Sequence, residues 1–353
     1  MPLRAEVGGE LIVGPQVPNE KWKDLVRSIR SGAVEVRLPG CDSPGHPRIR
    51  KGLQHFAHNP GMGQVCTVHG TESAAHLHAK WIICQAARQA GWSADIEQAG
   101  QGWIADVLAW QERSGLKVAL EVQWSRQTFD DYRTRQQSYQ DTGVRAAWFA
   151  RHTAHLQMND SDVPIFELTR YGSDEFGVLL CGRTLPLSEV VTRLLTGQVQ
   201  CREQLTSDHA RISVGVYDYP CYKCGCLCLV WNVQRVELAG RCGQPYPYDL
   251  SRGSMWEGDR TEASREVRNA VTPVARDRDL PTAILSIRYS NTVRHKYMAF
   301  SCPHCHALFG DFPLSQDLAY RDPDEVLAVE GHVQVPYRHW CLNAGPGFCT
   351  PQP

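Results

Sequence analysis

No apolar stretch of the chain approaches the ~18 residues that a membrane helix needs. The opening Met1-Pro2-Leu3-Arg4 lacks the apolar core of a signal peptide. Charge of one sign is missing too. The formal net charge is −1, so no global basic field announces a nucleic-acid partner, and such a contact has to come from a local patch. The composition is not that of a disordered chain either, with 42% apolar and 21% charged residues. These absences leave a globular protein, expected to be cytoplasmic and without a membrane partner. Its 353 residues suffice for two or three domains with real cores. What the chain has in quantity is cysteine, 14 in all. In a cytoplasmic protein that points to metal or free thiols rather than disulfides.

Four segments follow from the patterning: 1–70, 71–155, 156–210 and 211–353. The first is rich in Gly, Pro and His, with a helix expected over Trp22–Arg30 and a strand over Ala33–Leu38. Cys41, His46, His55, His58, Cys66 and His69 scatter through it without a standard zinc spacing. This is either a degenerate zinc site or a packed module whose histidines only hydrogen-bond. From Thr71 the pattern turns helical as far as Ala90, with Gly91 as the stop. Glu72, His76 and Lys80, spaced by four, share one face. Such a stripe is usually a solvated face, and it gains meaning only if it meets the strands that follow.

Those strands are the centre of the chain. Ser93–Gln98 reads as a first strand, and Trp103–Trp110 and Leu116–Gln123 as a hairpin about the turn Gln111–Gly115. Regular register makes Asp106 and Glu121 cross-strand neighbours with β-carbons roughly 5 Å apart. Gln123 shares the face of Glu121, and Leu120 and Val122 face the other way. Two carboxylates so placed suit a divalent metal and an attacking water, or are solvated polar positions on a half-exposed sheet. A polar helix over Ser125–Asp141 and a buried strand over Val144–Ala150 complete an α-β-β-β-α-β order whose last unit favours a parallel return. The expected class is α/β with a mixed sheet. Pro164–Thr169 and Phe176–Cys181 continue the sheet, and Leu187–Leu195 is a short amphipathic helix.

In the last segment, Cys221-x2-Cys224 and Cys302-x2-Cys305 are two knuckles able to hold one zinc, a ribbon-like structural site. Cys226 and Cys228 are competing ligands or ordinary strand residues in Gly225–Val230. The 77 residues between the knuckles must form structure of their own.

Residues 71–151 resemble the nuclease-like domain of the competence protein CoiA-like family, in the PD-(D/E)XK nuclease superfamily. The blocks run in order: Glu72-Ser-Ala-Ala-His76 with Lys80, Glu97, Ala105-Asp106-Val107, Leu120-Glu121-Val122-Gln123-Trp124-Ser125, Arg135-x3-Tyr139 and Trp148-Phe149. His55-Phe-Ala-His58 is similar to a short block upstream of the family's core. The resemblance implies a restriction-endonuclease-like core and cleavage of single- or double-stranded DNA with Mg²⁺ or Mn²⁺. It implies Asp106 and Glu121 as metal ligands, with Glu97 or Glu72 completing the shell. Gln123 would position the water, His76 would carry a proton or only hydrogen-bond Glu72, and the metal with Lys80 or Arg135 would supply charge. Arg135 and Tyr139 would hold the scissile phosphate, and Arg126, Arg133 and Arg135 form a basic strip. Two departures stand out. Ile104 occupies a position where the family usually has Arg, and Gln123 replaces the superfamily's lysine, a variant the family itself tolerates.

The function expected is therefore a metal-dependent DNA endonuclease in DNA processing, with competence, recombination and defence against foreign DNA as settings. The zinc module would bind nucleic acid or a protein partner, or staple the fold. The rival is a catalytically silent nucleic-acid-binding or scaffold protein, favoured by Ile104 and Gln123. A thiol redox protein is the third reading.

Overall fold

A computed structural model describes residues 2–63, 66, 72–154, 160–171, 175–246, 264–292, 294–342 and 349. His69 and Thr71 lie outside the described residues. The protein is mixed α/β with several sheets, and strands predominate. It divides into two compact units, Met1–Cys201 with His339–Asn343, and Arg202–Arg338 with Ala344–Pro353.

The first unit begins with five short antiparallel strands in the order β2-β1-β3-β4-β5. These are β1 (Arg4–Val7), β2 (Glu10–Val13), β3 (Val36–Leu38), β4 (Ser43–Arg50) and β5 (Leu53–His58). Helix α1 (Asn19–Arg30) lays the Trp22 ring edge-on against Phe56, with centroids 5.3 Å apart. Ala5, Val7 and Leu38 close this small core.

The second sheet has seven strands, β12-β11-β10-β9-β8-β7-β6. They are β6 (Ser93–Ala99), β7 (Ile104–Trp110), β8 (Lys117–Gln123), β9 (Arg145–Ala150), β10 (Ile165–Tyr171), β11 (Glu175–Leu180) and β12 (Arg183–Pro186). β6, β7 and β8 are antiparallel, and β9 returns parallel to β8, as the α-β-β-β-α-β order requires. The hairpin turn closes with the Gln111 N–H on the Leu116 carbonyl, and Gly115 takes the left-handed φ of +68° that this turn needs.

Helix α2 (Ala74–Gln89) packs on β6, β7 and β8. Its N-terminus is capped by Ser73, whose hydroxyl accepts from the His76 N–H, and Gly91 at φ +81° ends it. Leu77, Ile83, Cys84 and Ala87 bury its apolar face. Helix α3 (Phe129–Gln140) packs on β9. It starts four residues later than the sequence pattern implies. Gln123 Nε2 donates to both the carbonyl and the hydroxyl of Ser125, which holds that residue in a loop. The cap is instead Thr128, which exchanges hydrogen bonds with Asp131 in a capping box. Helix α4 (Leu187–Leu195) follows β12 with the bounds read from sequence.

The second unit is built on long strands, β13 (Val199–Pro220), β14 (Leu227–Glu237) and β17 (Glu325–Leu342), in the sheet order β14-β13-β17. The stretch between the cysteine knuckles holds β14, a helix (Arg265–Asp277) and the hairpin of β15 (Ile284–Ser290) and β16 (His295–Ser301).

Candidate functional site

The β7–β8 register is the one expected, running from Trp110↔Lys117 to Val107↔Leu120. Beyond that pair the ladder lapses, and side chains take its place. The Asp106 N–H donates to Glu121 Oε1 at 3.1 Å, and the Val122 N–H donates to Asp106 Oδ2 at 2.9 Å. The β6–β7 ladder also skips the Glu97 and Asp106 pair, and Glu97 has a φ of +53°. The candidate site lies where both ladders open.

The stripe on α2 meets this opening. Lys80 Nζ lies 2.8 Å from Asp106 Oδ1, 2.5 Å from Glu72 Oε1 and 3.5 Å from Glu97 Oε1. Its side chain is only 4% exposed. His76 sits between Glu72 and Asp106, with Nδ1 3.6 Å from the first and Nε2 3.6 Å from the second. The buried Nε2 has no hydrogen-bond partner. Glu97 is fixed from the far side by the Leu3 N–H, and Arg4 donates to its carbonyl, so the N-terminal strand supports the site. Burial works against the Lys80 ammonium, but Asp106, Glu97 and Glu72 outweigh it and hold its pKa well above the usual value. Burial likewise resists ionisation of Asp106, and Lys80 and His76 overcome it, so its pKa falls. Glu97 goes the other way, raised by burial and by Glu72 against the pull of Lys80.

Glu121 and Gln123 are held by α3. Glu121 Oε1 accepts from the Tyr139 hydroxyl at 2.6 Å, and Oε2 from Arg135 at 2.5 Å. Arg135 also donates to Gln123 Oε1 at 3.3 Å, which places Glu121 and Gln123 on the same face as the period of two requires. The guanidinium sits 4.5 Å from the Trp148 ring centroid. Tyr139 is buried against Trp103 and Trp148. Burial and Asp106 raise the Glu121 pKa, while Arg135 and Tyr139 oppose the rise. Arg126 is exposed in the loop before α3, and Arg133 lies over the Phe129 ring. Ile104 is 47% exposed, and its carbonyl accepts from Tyr139.

The residues whose ligand atoms gather within reach of one ion are Glu72, His76 and Asp106. Glu121 offers its oxygens to Tyr139, Arg135 and the Asp106 backbone, and Glu97 to Leu3 and Lys80. Of the nuclease residues named from sequence, Glu72, His76, Lys80, Glu97, Asp106, Glu121, Gln123, Arg135 and Tyr139 thus meet around the ladder opening, and Arg126 and Arg133 do not join them. Trp124, quoted from sequence only as part of a block and given no role, stacks its ring on His76 at 6.1 Å and 10°. An aromatic residue directly after Gln123 was the available signal.

Each compact unit also holds, within itself, a cysteine group that can bind metal. Cys221, Cys224, Cys302 and Cys305 gather in the second unit, with Sγ atoms 3.6 Å apart for Cys221 and Cys305 and 3.7 Å for Cys224 and Cys302. Each knuckle turns tightly, through the Gly225 N–H on the Cys221 carbonyl and the His306 N–H on that of Cys302. Burial disfavours the Cys302 thiolate, but the Cys305 and His304 N–H groups donate to its sulfur and help bring its pKa to about 6. Cys228 stays in β14 and donates to the Tyr219 carbonyl. In the first unit Cys41, His58 and Cys66 converge, with Cys41 Sγ 3.5 Å from His58 Nε2. His55 belongs to the packed core instead, its Nδ1 facing the Leu53 carbonyl.

Residues 72–171 match the model of the family described as competence protein CoiA, nuclease-like domain. No curated protein matches the chain. Among the described residues no helix is long and apolar enough to cross a membrane.

Proposed function

We propose that this chain, which belongs to the CoiA-like family through the nuclease-like domain of residues 72–171, is a divalent-metal-dependent deoxyribonuclease with a restriction-endonuclease-like core. The observation that carries the reading is the charge balance at Asp106. Three carboxylates, Glu72, Glu97 and Asp106, converge on one buried ammonium, Lys80, beside the His76 Nε2, which lies 3.6 Å from Asp106 without a hydrogen bond. Surplus negative charge out of water calls for a cation. The donor set fits: carboxylate oxygens of Asp106 and Glu72 suit Mg²⁺ or Mn²⁺, and His76 adds a nitrogen that favours Mn²⁺. Such an ion polarises a phosphodiester and makes a water nucleophilic near neutral pH.

The chain's own groups do the rest. Lys80 orients Asp106 and Glu72 and keeps Asp106 ionised. Arg135, with 38% of its side chain exposed, is the cation placed to move from Glu121 to a scissile phosphate. That movement would free Oε2 of Glu121, while Oε1 stays with the Asp106 N–H and the Tyr139 hydroxyl. Gln123, anchored through its amide nitrogen to Ser125, keeps its oxygen on the site side.

Cys221, Cys224, Cys302 and Cys305 form a closed structural zinc site, and Cys41, His58 and Cys66 provide a second, three-donor zinc position. The competing reading, a silent nucleic-acid-binding protein, draws on Gln123 in the lysine position and on the engagement of Glu121 by Arg135 and Tyr139.

Incubation of linear, nicked and single-stranded DNA with the zinc-loaded chain in Mg²⁺ or Mn²⁺ separates the two readings. Cleavage by the wild type that is abolished in Asp106→Asn is expected. Binding without cleavage by either protein would establish the silent reading.

A further inference from the structure

Beside the carboxylate cluster lies a second concavity that the catalytic reading leaves unused, a cavity of about 890 Å³. Its wall includes Arg50 and Lys51 from the β4–β5 turn and Trp124 after β8. Arg151 follows β9, and Arg170 and Phe176 come from β10 and β11. Four cations face one carboxylate, that of Glu167, among the lining side chains. Among the described residues none of the four is held in an ion pair. Cations outside any ion pair, gathered round a hollow, make it a site for an anion.

Trp124 is the partition between this cavity and the catalytic cluster. It stacks on His76, and it meets the Phe176 ring edge-on at 6.0 Å. Arg151 spreads its guanidinium 5.2 Å from the Trp124 ring centroid. The wall therefore offers π-faces and a guanidinium plane between positive charges.

We propose that this cavity seats unpaired nucleotides flanking the cleaved phosphodiester, which makes single-stranded DNA the substrate class; the proposal rests on the nuclease reading above. A cavity of this size falls in the range of about 300–1,000 Å³ that encloses small ligands, room for a nucleotide or two. Bases in a duplex already stack on their neighbours, and a duplex presents its phosphates on a convex surface. An unpaired base, by contrast, has a free face for Trp124, Phe176 or the Arg151 plane. Its phosphates would meet Arg50, Lys51 and Arg170.

The test is fluorescence anisotropy with the full, zinc-loaded chain and no added divalent ion. The probes are a short labelled oligothymidylate and a labelled blunt duplex. The single strand is expected to bind more tightly than the duplex. In the double variant Arg50→Glu/Lys51→Glu, both exposed positions, single-strand affinity is expected to fall about tenfold or more, with the salt slope shallower by about 1.4, at roughly 0.7 per phosphate contact. Trp124→Leu is expected to lose about fivefold or more on the single strand. Melting curves and zinc content confirm that each variant is folded.

Unchanged single-strand affinity in both variants overturns the proposal, as does an equal loss on single strand and duplex. Asp106→Asn separates the two readings, since it is expected to bind the single strand normally while losing cleavage. If the wild type cleaves nothing but the cavity variants still lose single-strand affinity, the nuclease reading fails and the cavity stands as a binding site. If cleavage is metal-dependent and the cavity variants cut single strands as the wild type does, the nuclease stands and the cavity assignment fails.

Discussion

Lys80 carries more of the site than its lack of exposure suggests. It faces Asp106, Glu72 and Glu97 at once, so its loss leaves three carboxylates buried against each other. Lys80→Met is expected to lower stability in urea by about 3–5 kcal/mol, the range for breaking a buried ion pair. Added Mn²⁺ is expected to restore part of that loss by neutralising the same carboxylates, and no response to Mn²⁺ would mean that the cluster holds no ion. His55 gives a second prediction at this scale. Burial foremost, with Arg48 and Arg50 nearby and the Leu53 carbonyl opposing, depresses its pKa below 6.5 in the folded chain. The unfolded chain then binds the extra proton, so stability is full above about pH 6.5 and falls as the pH drops toward the folded value. Denaturation midpoints of the wild type are expected to fall between pH 7 and 5, and those of His55→Gln to change less.

Helix α3 shows how an element sets the site. Its Thr128–Asp131 capping box fixes where the helix begins, and so where Arg135 and Tyr139 meet Glu121. Thr128→Ala is expected to cost about 1 kcal/mol, read as a shift of the thermal midpoint. The elements of this core were the most legible part of the sequence. A period of two and a turn ending in glycine give the hairpin register, and alternation of type gives the parallel return of β9. The start of α3 was hidden because Ser125, a good capping residue, is engaged by Gln123. The five-stranded N-terminal sheet was reduced to one strand, since its short strands are broken by Gly and Pro. β13 and β17 were hidden because polar and charged residues interrupt their apolar alternation. At the site, the participants were legible and the grouping was not. Spacing placed Asp106 opposite Glu121, but only the lapse of two ladders sends Asp106 to α2 and Glu121 to α3. The basic cavity was out of reach because its walls come from well-separated segments, and Cys41, His58 and Cys66 because β5 and the chain after it bring them together.

At the scale of the whole molecule, each compact unit has a cysteine group suited to zinc, and the carboxylate cluster lies wholly in the first. Metal analysis of the purified chain is expected to find zinc, and Cys302→Ser to lose one equivalent while the fold of the first unit persists. Zinc content unchanged in that variant would place the ion elsewhere. The donor chemistry of the two kinds of site separates their ions, with thiolates for zinc and oxygens with one imidazole for Mn²⁺ or Mg²⁺. The claim on which the account turns is that the Glu72, His76 and Asp106 cluster holds a divalent ion. Titration of the zinc-loaded chain with Mn²⁺, followed by the loss of the free-ion electron paramagnetic resonance signal, measures it directly. The account predicts saturable uptake by the wild type that is lost in Asp106→Asn and weakened in His76→Gln. Equal uptake by all three proteins, or none by the wild type, would contradict it.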